Sequence, residues 1–316
     1  MSVPRAMTAI AVLTAVTATA SGCGDSPAPL PTGHAFKLDS QRPTPDAGRR
    51  DMFAFRRFAI RRFADTEIWT ARLRGPGRQQ VQLRRIRASE SSGPSPLLSP
   101  DRRYLISTRG AEGSERYFID DLQTRTSRPL TGRKVTGWAP DGHHVTVTTT
   151  GPQGPGIYAL NITSRELSPL LTGIRHPSPA HWAPDGTRLL AYDGELIELD
   201  LRTGRARRLA LAHSVDAAGA AYSPSGRRIV YATDDDKNGD ISENESDPYT
   251  ARELHIADTD GRNDQRLTRS LDDDEDPIYL TEHTVVTRTS YAVLAVDTRT
   301  RRVRTIARVS YLPRSR

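Results

Sequence analysis

From about residue 51 onward, apolar positions recur every second residue in short runs, as at Leu254 and Ile256. That period of two is the mark of a strand with one face turned to a core. No helical period of any length interrupts it, so the chain reads as all strand. The runs also repeat. An Asp or its substitute ends an apolar strand, and nine residues later stands a Leu or its equivalent. Asp121 pairs in this way with Leu130, Asn161 with Leu170, Asp200 with Leu209, Asp258 with Leu267 and Asp297 with Ile306. Arg72 and Val81 form a degenerate first copy. A fixed internal repeat decides an architecture before local propensity does.

A second signal precedes the first in each unit. It reads LSPD at 98–101, WAPDG at 138–142 and 182–186, and YSPSG at 222–226. Pro presets φ for a tight turn, Asp or Ser accepts local backbone hydrogen bonds, and Gly relieves the last position. The fifth turn is eroded: Tyr279 keeps the aromatic, but Thr281 replaces the Pro. Each unit is therefore strand, turn, strand, loop, strand, turn, strand, in roughly 40 residues. Four-stranded units in tandem close radially, because closure protects their edges. The six copies predict an all-β, six-bladed β-propeller of four-stranded antiparallel blades over residues 51–316.

The aromatic-Ser/Ala-Pro-Asp-Gly turn and the strand pair LHIADTDGRNDQRLT at 254–268 resemble the TolB-type, WD40-like propeller repeat. The resemblance covers about residues 51–310. It implies a six-bladed propeller in a family that includes periplasmic scaffolds of envelope complexes. The same repeat caps some peptidases and lyases, so the motif is informative for fold and poor for function.

The N-terminus adds an address. Met1–Arg5 is short and basic, Ala6–Ala20 is an apolar run, and Ser21, Gly22 and Cys23 follow. This is the layout of a secretory signal, too short to span a bilayer stably. It resembles the bacterial lipoprotein signal, which implies that Cys23 is lipidated and becomes the mature N-terminus. Ala20 stands where that signal prefers Leu. The alternative is an ordinary signal cut near Ala20 or Gly22, leaving a free thiol and a secreted protein. Cys23 is the only cysteine, so no intramolecular disulfide forms. Residues 24–50 carry Pro27, Pro29, Pro31, Pro43 and Pro45 among Ser, Thr and Asp, and read as a disordered, unpacked tether. The expected location is the outer face of the cytoplasmic membrane.

Charge changes the picture little. The net charge is +7, and of the 45 basic residues only Lys37, Lys134 and Lys237 are Lys. A basic surface suits anionic headgroups or simple solvation, and export argues against nucleic acid.

One loop carries candidate chemistry. The aromatic positions of the turn motif step by 40, 44, 40 and then 57 residues. The long step holds DDDKNGDISENE at 234–245, between the second and third strands of the unit that begins with YSPSG, the fourth counted from LSPD. It fits the twelve-residue calcium loop of an EF-hand. Asp234, Asp236 and Asn238 fall at positions 1, 3 and 5, Gly239 at the sharp turn, the Asp240 carbonyl at 7, Ser242 at 9 and Glu245 at 12. Ser246 and flanking strands depart from the EF-hand, so the expectation is a Ca2+ loop grafted on a hairpin. The competing reading is a solvated acidic insertion. A second acidic run, Asp272–Asp276, enters the next blade and is expected on the same face.

Catalysis is not expected: there is no GxSxG elbow and no HExxH. His143 and His144 follow a turn and read as exposed. His176 and His181 stand at a blade entrance near the axis. The functional expectation is a non-catalytic, membrane-tethered binding or scaffold propeller. It would be a monomer that presents loops to an envelope protein or a cell-wall polymer. The alternatives are a lyase-like propeller enzyme with a metal held by His in the central channel, and a purely structural spacer bound to calcium.

Overall fold

A computed structural model describes residues 29–38, 52–58, 66–74, 80–89, 96–110, 114–130, 133–174, 180–215, 219–233, 252–269, 274–289 and 291–308. Every regular element among them is a strand. A two-residue strand, β1 (Thr32–Gly33), comes first. Blade 1 is β2 (Met52–Phe58), β3 (Thr66–Arg74) and β4 (Gln80–Ser89). Blade 2 is β5 (Leu97–Leu98), β6 (Tyr104–Arg109), β7 (Arg116–Asp121) and β8 (Thr126–Leu130). Blade 3 is β9 (Lys134–Trp138), β10 (His144–Gly151), β11 (Gly154–Asn161) and β12 (Leu167–Thr172). Blade 4 is β13 (His181–Trp182), β14 (Arg188–Tyr192), β15 (Leu196–Asp200) and β16 (Arg205–Arg208). Blade 5 is β17 (Ala220–Tyr222), β18 (Arg228–Thr233), β19 (Glu253–Asp258) and β20 (Gln265–Arg266). Blade 6 is β21 (Glu275–Thr281), β22 (Thr284–Arg288), β23 (Ala292–Asp297) and β24 (Val303–Arg308).

The blades form a closed ring. The innermost strands β5, β9, β13, β17 and β21 lie side by side around the axis, with β2 beside β5. Phe53 and Ala71 of blade 1 share a core with Leu280, Val286, Val293 and Ile306 of blade 6. First and last blades thus meet through side chains, and no described strand is shared between them. Blade 1 has three described strands. Arg72 marks β3 as its third strand, so β2 to β4 correspond to the second, third and fourth strands of the other blades.

The nine-residue offset has a physical origin in the last hairpin of each blade. Asp121 Oδ1 accepts the N–H of Gln123 and Thr124, and Asn161 Oδ1 those of Thr163 and Ser164. Asp200 Oδ1 accepts Arg202 and Thr203, and Asp297 Oδ1 accepts Arg299 and Thr300. In these four blades, 2, 3, 4 and 6, an Asx turn closes the hairpin. The fourth residue on takes a left-handed φ of 57–71°: Arg125, Arg165, Gly204 and Arg301. The partner nine residues later, Leu130, Leu170, Leu209, Leu267 or Ile306, is buried between blades. In the other turn, Gly142, Gly186 and Gly226 adopt φ near 70°, and Arg102 holds that place at 63° in blade 2.

Residues 29–38 depart from the unpacked tether expected of them. β1 pairs antiparallel with β12, as Thr32 with Thr172 and Gly33 with Leu171, adding a fifth strand at the edge of blade 3. The segment then crosses to blade 4, where the Phe36 N–H donates to the Leu201 carbonyl at 2.6 Å. Leu38 and Phe36 enter the core between the two blades. Gly33 is required at the crossing, because a Cβ there would stand 2.3 Å from the Gly204 carbonyl oxygen. Proline composition correctly indicates extended backbone, but an extended segment is also the shape that completes an open sheet edge.

The Asx turns make a pH prediction. The N–H of Thr124 on Asp121, and that of Thr300 on Asp297, hold these carboxyls below the ordinary range. At Asp200 burial pushes upward, and the N–H groups of Thr203 and Arg202 outweigh it. A depressed folded value means that the stabilisation is complete above the ordinary carboxylate pKa of about 3.9. It is lost as pH falls through the folded value. Amide resonances of Thr124, Thr203 and Thr300 should therefore titrate below about pH 4. Ser164, bonded to the non-titrating Asn161, should stay flat in the same NMR series.

Candidate functional site

Cys23 and the predicted calcium ligands Asp234, Asp236, Asn238, Asp240, Ser242 and Glu245 lie outside the described residues. The structure does describe the foot of the loop. Thr233 ends β18 and pairs in register with Glu253, the first residue of β19. Both are fully buried. Residues 234–252 are thus an insertion that leaves and re-enters one hairpin between adjacent Cα partners.

That foot is built from paired charges. The buried Glu253 carboxylate is held by the Arg266 guanidinium, whose Nε also donates to the Thr268 carbonyl at 2.9 Å. Thr268 Oγ1 in turn accepts the Leu254 N–H at 2.9 Å. On the other side, the Asp274 N–H donates to the Arg252 carbonyl at 3.0 Å. Arg252 Nη1 stands 3.6 Å from Glu275 Oε1, and Arg288 Nη2 stands 2.5 Å from Glu275 Oε2. Arg288 Nε is 3.8 Å from Asp276 Oδ2. The described end of the second acidic run, residues 274–276, therefore meets the foot of the insertion at Arg252, while the acidic loop it was expected to lie beside is outside the described residues. Of its three described residues, Asp274 is fully buried, Glu275 is partly buried against Arg252 and Arg288, and Asp276 is exposed. Asp276 takes a φ of 49° ahead of Pro277, where the ladder between β21 and β22 slips.

A second polar centre went unseen in the sequence. Glu198 on β15 is buried between blades 4 and 5. Its Oε1 accepts the Tyr222 hydroxyl at 2.7 Å and Arg188 Nη1 at 3.2 Å, and its Oε2 accepts Arg207 Nε at 2.8 Å. Arg188 also donates to the Gly226 carbonyl at 2.8 Å and lies 5.0 Å from the Tyr222 ring centroid. Burial and the Glu198 charge push the Tyr222 phenol far up, so it acts as a donor at every working pH. The only sequence signal was Glu198 itself, a carboxylate inside the apolar run Leu196–Leu199.

The histidines divide. His143 is exposed as expected, but His144 is buried, a correction to its sequence reading. Asp141 Oδ1 accepts the His143 and His144 N–H groups, and Asp141 Oδ2 lies 2.7 Å from His144 Nδ1. The turn thereby supplies the buried imidazole with its own hydrogen-bond partner. Burial pushes the Asp141 carboxyl up, but its bonds to His144 and His143 bring it below the ordinary range. His181 sits on innermost strand β13, with Nε2 3.9 Å from where a Cβ on Gly219 would stand. That agrees with its expected place at the blade entrance, while His176 lies outside the described residues.

These features define a closed all-β propeller with one long insertion standing on an ion-paired foot in blade 5. Solved structures share the architecture. TolB from Acinetobacter baumannii superposes with a TM-score of 0.62 at 18% identity, over 80% of this chain and 62% of that one. A putative TolB from Agrobacterium tumefaciens gives 0.56 at 20% identity, over 82% and 89%. The nidogen/laminin complex gives 0.56 at 10% identity, over 80% and 91%. This chain thus spans less than two thirds of the Acinetobacter chain. No family model matches the sequence, and no curated protein shows a significant match to it. The fold is the TolB-type propeller.

The foot should be sensitive to its arginine. Arg266→Ala would leave Glu253 buried without its cation, which costs about 3–5 kcal/mol in comparable sites. Chemical denaturation should show that loss, and Arg266→Lys should recover part of it. Glu253→Gln with Arg266→Ala should cost less than Arg266→Ala alone, because the uncompensated charge is gone.

Proposed function

We propose that the protein is a non-catalytic, exported binding propeller of the cell envelope, held to the outer face of the membrane through Cys23. The ring is the scaffold, and the insertion at 234–252 is the displayed element. The observation that carries this reading is the foot of the insertion. The chain re-enters β19 beside its own exit from β18, and paired charges of blades 5 and 6 brace that point. Such a base suits a loop that presents side chains to another surface, because binding loops work from rigid scaffolds.

In this reading Ca2+ orders the loop through Asp234, Asp236, Asn238, the Asp240 carbonyl, Ser242 and Glu245. Six or more hard oxygens match calcium better than zinc. The partner is an envelope protein or a wall polymer, and the N-terminal signal and the TolB-type fold both support the location. A photo-crosslinker at Asn244, between the ligand positions, tests the display directly. Capture in intact cells of one defined chain or glycan, lost when calcium is chelated, is the expected result. Uniform labelling of many proteins would count against a dedicated partner.

Two further outcomes follow. Calcium should raise the melting temperature, and Glu245→Ala or Asp234→Ala should remove most of that rise. A ligand specific to the folded form stabilises by about 2.7 kcal/mol at a hundredfold excess over its Kd. No heat of binding at millimolar calcium would reduce the loop to a solvated insertion. Separately, Cys23→Ala should leave the membrane fraction or accumulate with its signal uncleaved. Normal processing with retention on the membrane would refute the lipid anchor.

A further inference from the structure

We propose that His213, His255 and Asp264 form a zinc-class metal site that clasps the loop between blades 4 and 5 onto blade 5. One donor atom from each of the three lies within 4.8 Å of the other two. They come from three separate segments. His213 is on the connection from β16 to β17, His255 is the third residue of β19, and Asp264 directly precedes β20. None belongs to the calcium-type loop at 234–245, and none is on an innermost strand.

The surroundings hold the donors in place. The His255 side chain is 4% exposed and that of Asp264 is 11% exposed. The Asp264 carboxylate is bracketed, with Oδ1 2.7 Å from His255 Nδ1 and Oδ2 accepting the Tyr231 hydroxyl. His213 stands edge-on to His255, with ring centroids 4.5 Å apart and planes at 61°. Its loop is fixed on both sides: Leu211 and Val215 enter the core formed with Leu196, Tyr222 and Tyr231. The carbonyl of Ala210 lies so close to Gly261 that a Cβ there would meet it at 1.8 Å. The imidazole is therefore delivered to the face of blade 5 by a loop anchored before and after it.

Two imidazoles and one carboxylate are the donor set of a borderline divalent cation, not of calcium. Tetrahedral zinc needs donors about 3.3 Å apart, given bonds near 2.0–2.1 Å. From 4.8 Å this asks for side-chain rotation, which the loop-borne His213 permits. Three protein donors leave a fourth position for water or for a side chain of a docking partner. The Tyr231 hydroxyl bonded to the ligating carboxylate has the place of an outer-shell partner that orients a ligand. The site thus ties the connection between blades 4 and 5 to blade 5 by a bond that the repeat itself does not supply.

The test uses the full chain in calcium-saturated buffer, so that the acidic loop does not compete for the added metal. Titration calorimetry with Zn2+ should show one equivalent bound. Co2+ in its place should give the visible d–d absorption of a four-coordinate site. His213→Ala and Asp264→Asn should each weaken zinc binding by about 100-fold or more, beyond the loss from an outer-shell partner. His143→Ala, at an exposed imidazole in blade 3, should change nothing. Because His213 is on a loop, its variant should keep the wild-type circular dichroism, which separates lost binding from lost fold. Absence of stoichiometric zinc binding in the wild type would overturn the proposal. So would zinc and cobalt signals that survive in His213→Ala.

Discussion

In a closed ring of blades a strand such as β18 has no solvent face. Ile229 and Tyr231 pack toward blade 4, while Val230 and Ala232 pack toward blade 6. The same division runs through β14, where Leu189 and Ala191 face blade 3 and Leu190 faces blade 5. Burial of both faces stabilises the ring through many modest contacts, each worth about 25 cal/mol per Å² of apolar surface. It also imposes a condition on every polar side chain placed there, because it must find its partners inside the protein.

That condition explains where charge is found. Glu198 is satisfied by two arginines and a tyrosine, Glu253 by Arg266, and Asp120 by Ser107 and Arg109. Each carboxylate sits in a strand and draws on residues of neighbouring strands or the next blade. Such pairs are weak evidence for net stability, since desolvation offsets much of the attraction. Their geometric demand is strong, however. Glu198 accepts Tyr222 only when blades 4 and 5 hold one relative register, so the cluster specifies how two nearly equivalent units dock.

The blade repeat was legible because its signals are local. An Asx turn needs a carboxylate or amide at a fixed distance from its hairpin partner, and Asp121, Asn161, Asp200 and Asp297 show it directly. Blade 1 was harder to read because Arg72 cannot make that turn. The packing of residues 29–38 was not legible. β1 joins its sheet through backbone hydrogen bonds, and only Phe36 and Leu38 carry an apolar signal there. His144 was misread because its partner, Asp141, belongs to the turn motif and had been given a purely local role. The grouping of His213, His255 and Asp264 is a long-range event, created when one inter-blade loop crosses the face of the next sheet.

A repeat fold makes deviations informative, because six similar units supply their own reference. Blade 5 departs from the others in three ways at once. It carries the insertion at 234–252, the buried charge at its foot, and an imidazole at position 255 facing another from the preceding loop. None of these is needed to build a blade, since blades 4 and 6 close with the same strand order and without them. Glu253 and His255 are also two residues apart on β19, so they lie on one face of the strand. The ion-paired foot and the imidazole therefore share one face of a single strand. The carboxylate that Arg266 holds and the imidazole that faces His213 are thus both carried by the same short strand, β19.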